Sequence, residues 1–198
     1  MALLLSVLEQ GMIYGILALG VYITYKILDF PDLTVDGSFP FGAAITVRLI
    51  NGFGVPAILT LPIAFLGGAL VGICTGLIHV KLKVRDLLSG IIMMTGLYTI
   101  NLWVAGSGYV AIFDKDNIFN NSFVNSITPG FLVNFKNVII IFLITMVAKY
   151  LLDWYMSTKS GFLLRAVGDN DTIVTSLGVD KGLVKIVGLS IALSLIHI

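Results

Sequence analysis

Polar residues in this chain fall into a few clusters, and long apolar runs separate them. The first run covers residues 2–28 and is interrupted only by Glu9, Gln10 and Lys26. At a rise of ~1.5 Å per residue, such a helix exceeds a hydrocarbon core of ~30 Å, so it tilts or protrudes. Residues 29–40 then gather carboxylates and helix breakers: Asp29, Pro31, Asp32, Asp36, Gly37, Ser38 and Pro40. A short apolar helix is predicted over residues 39–50, too brief to span comfortably. Ser38 suits its N-cap, and Pro40 falls in its first turn, where a missing N–H costs nothing. Full spans are predicted at 55–80, 87–104 and 137–156, and a last one begins near Leu183 and is still running at Ile198. Residues 106–135 read as a polar, Asn-rich loop with one short helix.

The most informative stretch between two apolar runs is residues 161–180, which is hydrophilic beside the spans around it. It divides into two short helices. Gly168 is predicted to end the first in a left-handed conformation, Asn170 or Asp171 to cap the second, and Gly178 to close it. With Leu163, Leu164, Ile173, Val174 and Leu177 exposed, this pair reads as a docking peg at the bilayer surface.

Composition sets the class. Of 198 residues, 58% are hydrophobic and 12% charged, against about a quarter charged in a soluble domain. The mean hydropathy is +1.02. The chain therefore reads as an all-α, polytopic transmembrane bundle with a broken second helix, one membrane domain over residues 1–198 and a docking loop at 157–182. No basic region precedes the first run and no small-residue cleavage pattern follows it, so that run is read as a retained span. Lys81, Lys83 and Arg85 share one short turn, and Lys159, Arg165, Lys181 and Lys185 flank the docking loop. By the positive-inside rule both segments face the cytoplasm, which places residues 106–135 and Met1 outside.

Candidate chemistry is sparse. A half-helix that begins at membrane depth directs its positive end inward, and carboxylates beside it suit an ammonium group. Asp29, Asp32, Asp36, Gly37, Ser38 and Gly42 are thus candidates for a solute pathway. The competing reading is a cytoplasmic turn whose aspartates are hydrated and cap helices. Gly68, Gly72 and Gly76 form one stripe and Gly11 with Gly15 another, for helix packing within the chain or between subunits. Glu9 is either a pathway residue or reaches the headgroups. His79 is placed at the membrane interface, and Cys74 is read as a small buried hydrophobe. Trp103, Trp154, Tyr150 and Tyr155 fit an aromatic belt. No phosphate-binding Gly-rich loop, catalytic triad or metal-ligand spacing occurs. The chain is read as no enzyme by itself, with no catalytic or metal residues and no cofactor. A net charge of +1 without a basic stripe provides no nucleic-acid footprint.

In two places the sequence resembles the permeases of bacterial ATP-binding cassette (ABC) importers for branched-chain amino acids and simple sugars. Gly161, Arg165, Ala166, Gly168, Asn170, Leu177, Gly178 and Val179 match that family's cytoplasmic loop, and the segment from Gly15 to Gly20 followed by Gly42 matches its opening half. Residues 28–39 are most similar to a branch linked to amino-acid uptake. The resemblance implies a multi-pass protein of the bacterial inner membrane. It also implies a second permease copy (a homodimer), a cytoplasmic ATP-binding subunit and an extracytoplasmic solute-binding protein. Gly161, Leu164, Arg165, Ala166, Gly168, Asp169, Asn170, Leu177 and Gly178 would then couple the permease to the ATPase. Such permeases continue for several more spans, so the chain reads as incomplete at its C-terminus. An ion-gradient-driven secondary transporter or channel subunit is the alternative, as is an assembly subunit without a pathway.

Overall fold

The computed structural model describes residues 2–108, 118–119 and 135–197. The loop expected over 106–135 thus lies largely outside the described residues. Helix α1 (Ala2–Val21) runs directly into a π-helical turn (Tyr22–Ile27). There Leu28 donates its N–H to the Ile23 carbonyl, five residues back, at 3.0 Å. Helix α2 is Thr34–Phe53, α3 Ala57–Leu82 and α4 Asp86–Ala105. Helix α5 is Lys136–Met156, α6 Lys159–Asp169, α7 Asp171–Ser176 and α8 Lys181–Ile196. No strand occurs among the described residues. Left-handed glycines close α2 at Gly54 (φ 63°) and α4 at Gly106 (φ 80°).

Four described helices are long and apolar enough to cross a membrane: Leu3–Ile27, Ala57–Leu82, Asp86–Ala105 and Lys136–Met156. Large apolar side chains such as Leu3, Leu66, Leu70, Leu143 and Val147 face outward along them. In water that would be a severe exposure of apolar surface, whereas in lipid it is the solvated face. The chain is an all-α multi-pass membrane bundle. Trp103, Tyr150 and Trp154 lie exposed near helix ends, as an interfacial belt requires.

The tightest helix pair is α3 against α8. A methyl group at Gly72 would lie 2.5 Å from the Leu189 carbonyl oxygen, and one at Gly68 2.5 Å from that of Leu193. At Gly76 it would lie 2.9 Å from Ile186 Cγ1. These three glycines therefore let two backbones touch, and Ser190 ties them by donating to the Ala69 carbonyl at 3.2 Å. Gly11 and Gly15 face open space instead. Cys74 follows Gly72 by about 200° of helical turn, so it points away from this contact and is exposed, not buried as anticipated. A second core gathers Ile23, Ile27, Leu28 and Phe30 from the end of the first span around Leu164 of α6, Leu152 and Met156 of α5 and Leu189 of α8.

The second helix departs from the sequence expectation. It starts at Thr34, not near Phe39, and is a continuous 20 residues. Asp32 Oδ1 receives the Thr34 N–H at 2.8 Å, so the aspartate takes the capping role assigned to Ser38. Ser38 is buried inside the helix and donates to the Val35 carbonyl at 3.3 Å. The break between helices lies at residues 28–33.

Candidate functional site

The break is built from one buried aromatic and a chain of short polar contacts. Asp29 takes a left-handed conformation (φ 51°) that turns the chain after the π-helical turn. Phe30 is then driven into the core, its ring edge-on to His79 at 5.1 Å. Nδ1 of His79 lies 2.9 Å from the Val84 carbonyl and 3.1 Å from Asp86 Oδ1, which pins the ring where α3 turns into α4. The Thr34 and Thr75 hydroxyls lie 3.3 Å apart. Asp32 Oδ2 is buried without a partner.

Contacts with α4 show how deep the break reaches. Leu33 N would lie 2.8 Å from a methyl group at Gly90, and Met94 Cα 2.9 Å from one at Gly37. Asn101 Nδ2 donates to the Gly37 carbonyl at 2.9 Å. Met94 and Asn101 lie about 12 and 22 Å along α4 from Asp86, in a helix about 30 Å long. The chain entering α2 therefore meets α4 at Gly90, about 6 Å from Asp86, and the first turn of α2 runs alongside Met94.

That start corrects the role of Pro40. It is the seventh residue of α2, not part of its first turn. Inside a helix proline has no N–H for the carbonyl four residues back, which is that of Asp36. Asp36, Gly37 and Pro40 line one side of a groove of about 620 Å³, and Thr95, Tyr98 and Asn101 of α4 line the other.

The six residues singled out for a pathway separate into several places. Asp36 and Gly37 face this groove. Gly42 faces His197, which is 3.2 Å from where its methyl group would be, and both line a second cavity of about 500 Å³. Asp32 and Ser38 are engaged with the backbone of α2. Asp29 lines a polar cleft of about 380 Å³ with Asp86, Asp169, Asn170, Asp171 and Lys185. Sequence reasoning missed Asn101 and His197. Neither carries a local motif, because each acts on a carbonyl in another helix: Asn101 on Gly37, and His197 Nδ1 on Ala64 at 3.1 Å.

The loop after α5 is capped at every turn. Gly161 N donates to Thr158 Oγ1 at 3.3 Å, and Thr172 and Ile173 donate to Asn170 Oδ1 at 3.1 and 3.2 Å. Gly178 (φ 78°) leads out of α7, and Asp180 Oδ1 accepts from Gly182 at 2.8 Å to start α8. Gly168 does not end the first helix in a left-handed turn. It lies inside α6, and its Cα packs on the Ile27 carbonyl so closely that any methyl group there would overlap the oxygen. Leu164 and Val174 are 0% and 1% exposed and form the underside of the loop, contrary to the exposed roles expected for them. Ile173 and Leu177 are 57% and 73% exposed.

Arg165, Ala166 and Asp169 are exposed as well, and Arg165 makes no ion pair among the described residues. Asp171 pairs with Lys181 at 2.8 Å, and that hydrogen bond and charge hold its carboxyl below the usual value. Gly161 lets α6 turn back on α5, since a methyl group there would lie 2.5 Å from the Tyr155 carbonyl. The result is a rigid two-helix cap with an apolar tip. Its underside is packed onto the end of the first span.

Residues 3–193 match the family model described as "Branched-chain amino acid transport system / permease component". The chain belongs to this family. It is 41% identical over 194 residues to the tyrosine transport system permease protein of Clostridioides difficile (strain R20291), covering 98% of this chain and 61% of that protein. An uncharacterised protein of Rickettsia prowazekii (strain Madrid E) is 29% identical, over 97% of this chain and 64% of its own length. A probable branched-chain amino acid transport permease protein, LivH, of Methanocaldococcus jannaschii is 28% identical, with 88% and 58% covered. The chain therefore spans about three-fifths of the length of these curated relatives. No solved structure matches it.

Proposed function

We propose that this chain is the permease subunit of an ABC importer in a bacterial inner membrane and that it forms the translocation pathway for an amino acid. The observation that carries the proposal is the α6–α7 cap. Two short, fully capped helices present Ile173 and Leu177 outward while Leu164 and Gly168 bind the cap to the first span. A soluble partner that pushes on the tip moves Ile27 and the break behind it, because the contact beneath the cap is backbone on backbone and cannot bend as a tether would. The partner is a cytoplasmic ATP-binding subunit, with Arg165 free to meet an acidic site on it. An extracytoplasmic binding protein delivers the solute, and a second permease copy completes the pathway. ATP hydrolysis resides in the partner. The tyrosine permease relative makes L-tyrosine the first solute to test.

The test is co-purification of the permease with its ATPase, followed by solute-stimulated ATP hydrolysis in lipid. Ile173→Asp with Leu177→Asp, on the exposed tip, is expected to abolish stimulation and leave the permease folded. Undiminished stimulation in that variant refutes the coupling role of the cap.

A further inference from the structure

The groove between α2 and α4 contains a carboxylate that no cation among the described residues neutralises. Asp36 is the only Asp, Glu, Lys or Arg among the described residues that line it. It makes no ion pair or side-chain hydrogen bond among the described residues. It lies one residue from Gly37, which packs on Met94 and accepts from Asn101 well along α4. Asp36 is exposed along this groove, and an ionisable group in a membrane bundle persists where it faces a partner or an aqueous path. A second acceptor lies beside it, because Pro40 gives the Asp36 carbonyl no N–H. Asn101 turns its Nδ2 to the Gly37 carbonyl and so holds this stretch of α2 in place. Tyr98, 68% exposed, lines the same groove, and aromatic rings of this kind attract cations. Among the described residues the lining holds negative and acceptor groups and no cationic one. At about 620 Å³ the groove has the size of an ordinary small-molecule site.

We infer that the α2–α4 groove is a subsite for the ammonium group of the amino-acid solute, with the Asp36 carboxylate and main-chain carbonyl as its acceptors and Tyr98 as its aromatic wall. This rests on the importer reading and adds the chemical group recognised and the residues that recognise it. Among the described residues the groove offers the solute carboxylate no cationic partner, so selection here is for positive charge. Tyr98 and Asn101 act differently: Tyr98 touches the cation, whereas Asn101 is a positioning residue acting through Gly37.

The experiment uses the assembled transporter in proteoliposomes, with ATP-driven uptake of L-tyrosine and of the other proteinogenic amino acids as readout. Direct binding of tyramine and of 3-(4-hydroxyphenyl)propanoate to the purified permease in nanodiscs accompanies it. Asp36→Asn is expected to lower uptake about tenfold or more, the loss typical of a charged hydrogen-bond partner, while Asp36→Glu retains most of it. Tyramine, which keeps the ammonium, binds wild type and not Asp36→Asn. The deaminated acid binds neither. Equal uptake by wild type and Asp36→Asn, or preferred binding of the deaminated acid, overturns the subsite and leaves the importer reading intact. Loss of the permease dimer in Asp36→Asn overturns it too, since the carboxylate then pairs with a cation of a second copy. No ATP-driven uptake of any amino acid by wild type instead defeats the importer reading itself.

Discussion

Replacing Gly168 by alanine sets two effects of opposite sign against each other. Gly168 is the second-last residue of α6 with helical backbone, so helix propensity favours alanine by about 1 kcal/mol at most. Against this, the added methyl group overlaps the carbonyl oxygen of Ile27 and crowds the carbonyl carbon of Leu28. These are main-chain atoms at the close of the π-helical turn, tied by Leu28 N–H to Ile23 at 3.0 Å and Phe30 N–H to Thr24 at 2.9 Å. They cannot rotate aside as a side-chain end would. Overpacking of this kind costs about 1–3 kcal/mol, occasionally more, so the clash outweighs the propensity gain or the cap lifts off the span.

The assay is thermal unfolding of the purified permease in a fixed detergent, with the distance between spin labels on α6 and the first span measured in parallel. Gly168→Ala is expected to melt below wild type or to lengthen that distance. Gly15→Ala, where nothing lies within 4 Å, is the control and melts at or above wild type. A Gly168→Ala protein that melts higher with an unchanged distance refutes the contact, and with it the lever drawn from the cap to the break.

Other outcomes follow from the same geometry. Gly72→Ala forces α3 and α8 apart against the Leu189 carbonyl and Ser190 Cα, both at 2.5 Å, and is expected to destabilise by about 1–3 kcal/mol in the same unfolding assay. Gly178→Ala strains a left-handed turn (φ 78°) at a cost of about 1–2 kcal/mol, read by the same melt. The carboxyl of Asp171 is held below 3.8 by its bond to Lys181. That contribution is therefore complete above pH 3.8 and fades only as pH falls through the lower folded value. A spin label at Leu177 should show constant mobility from neutral pH down to about 4 and loosen below it, and Asp171→Asn should remove that step. Arg165→Ala should leave the melt unchanged and lower ATPase stimulation, since Arg165 has no ion pair among the described residues to lose.

The spans were legible because lipid requires unbroken apolar runs, and helices α3, α4 and α5 begin and end within about two residues of the predicted spans. Asn170 and Gly178 were legible for the same local reason, since cap and turn chemistry is written in neighbouring residues. The start of α2 was misplaced because Asp32 caps it, and a Ser-x-Pro pattern further along imitated a helix start. Gly168 was misread for a different reason. A glycine needed for a turn and one needed for close approach look alike in sequence, and only the distant Ile27 carbonyl separates them. Leu164 and Val174 looked exposed because the loop is polar overall, yet its underside packs on the end of the first span and on α8. Asn101 was invisible because its partner is 64 positions away.

The claim that α6 and α7 form a handle on the cytoplasmic face has a direct measurement. In a protein with Cys74 replaced, a single cysteine at the exposed Leu177 position is probed with a membrane-impermeant maleimide. The account predicts no labelling in intact cells, full labelling in inverted vesicles and protection when the ATP-binding subunit is bound. Labelling of intact cells from outside would contradict it.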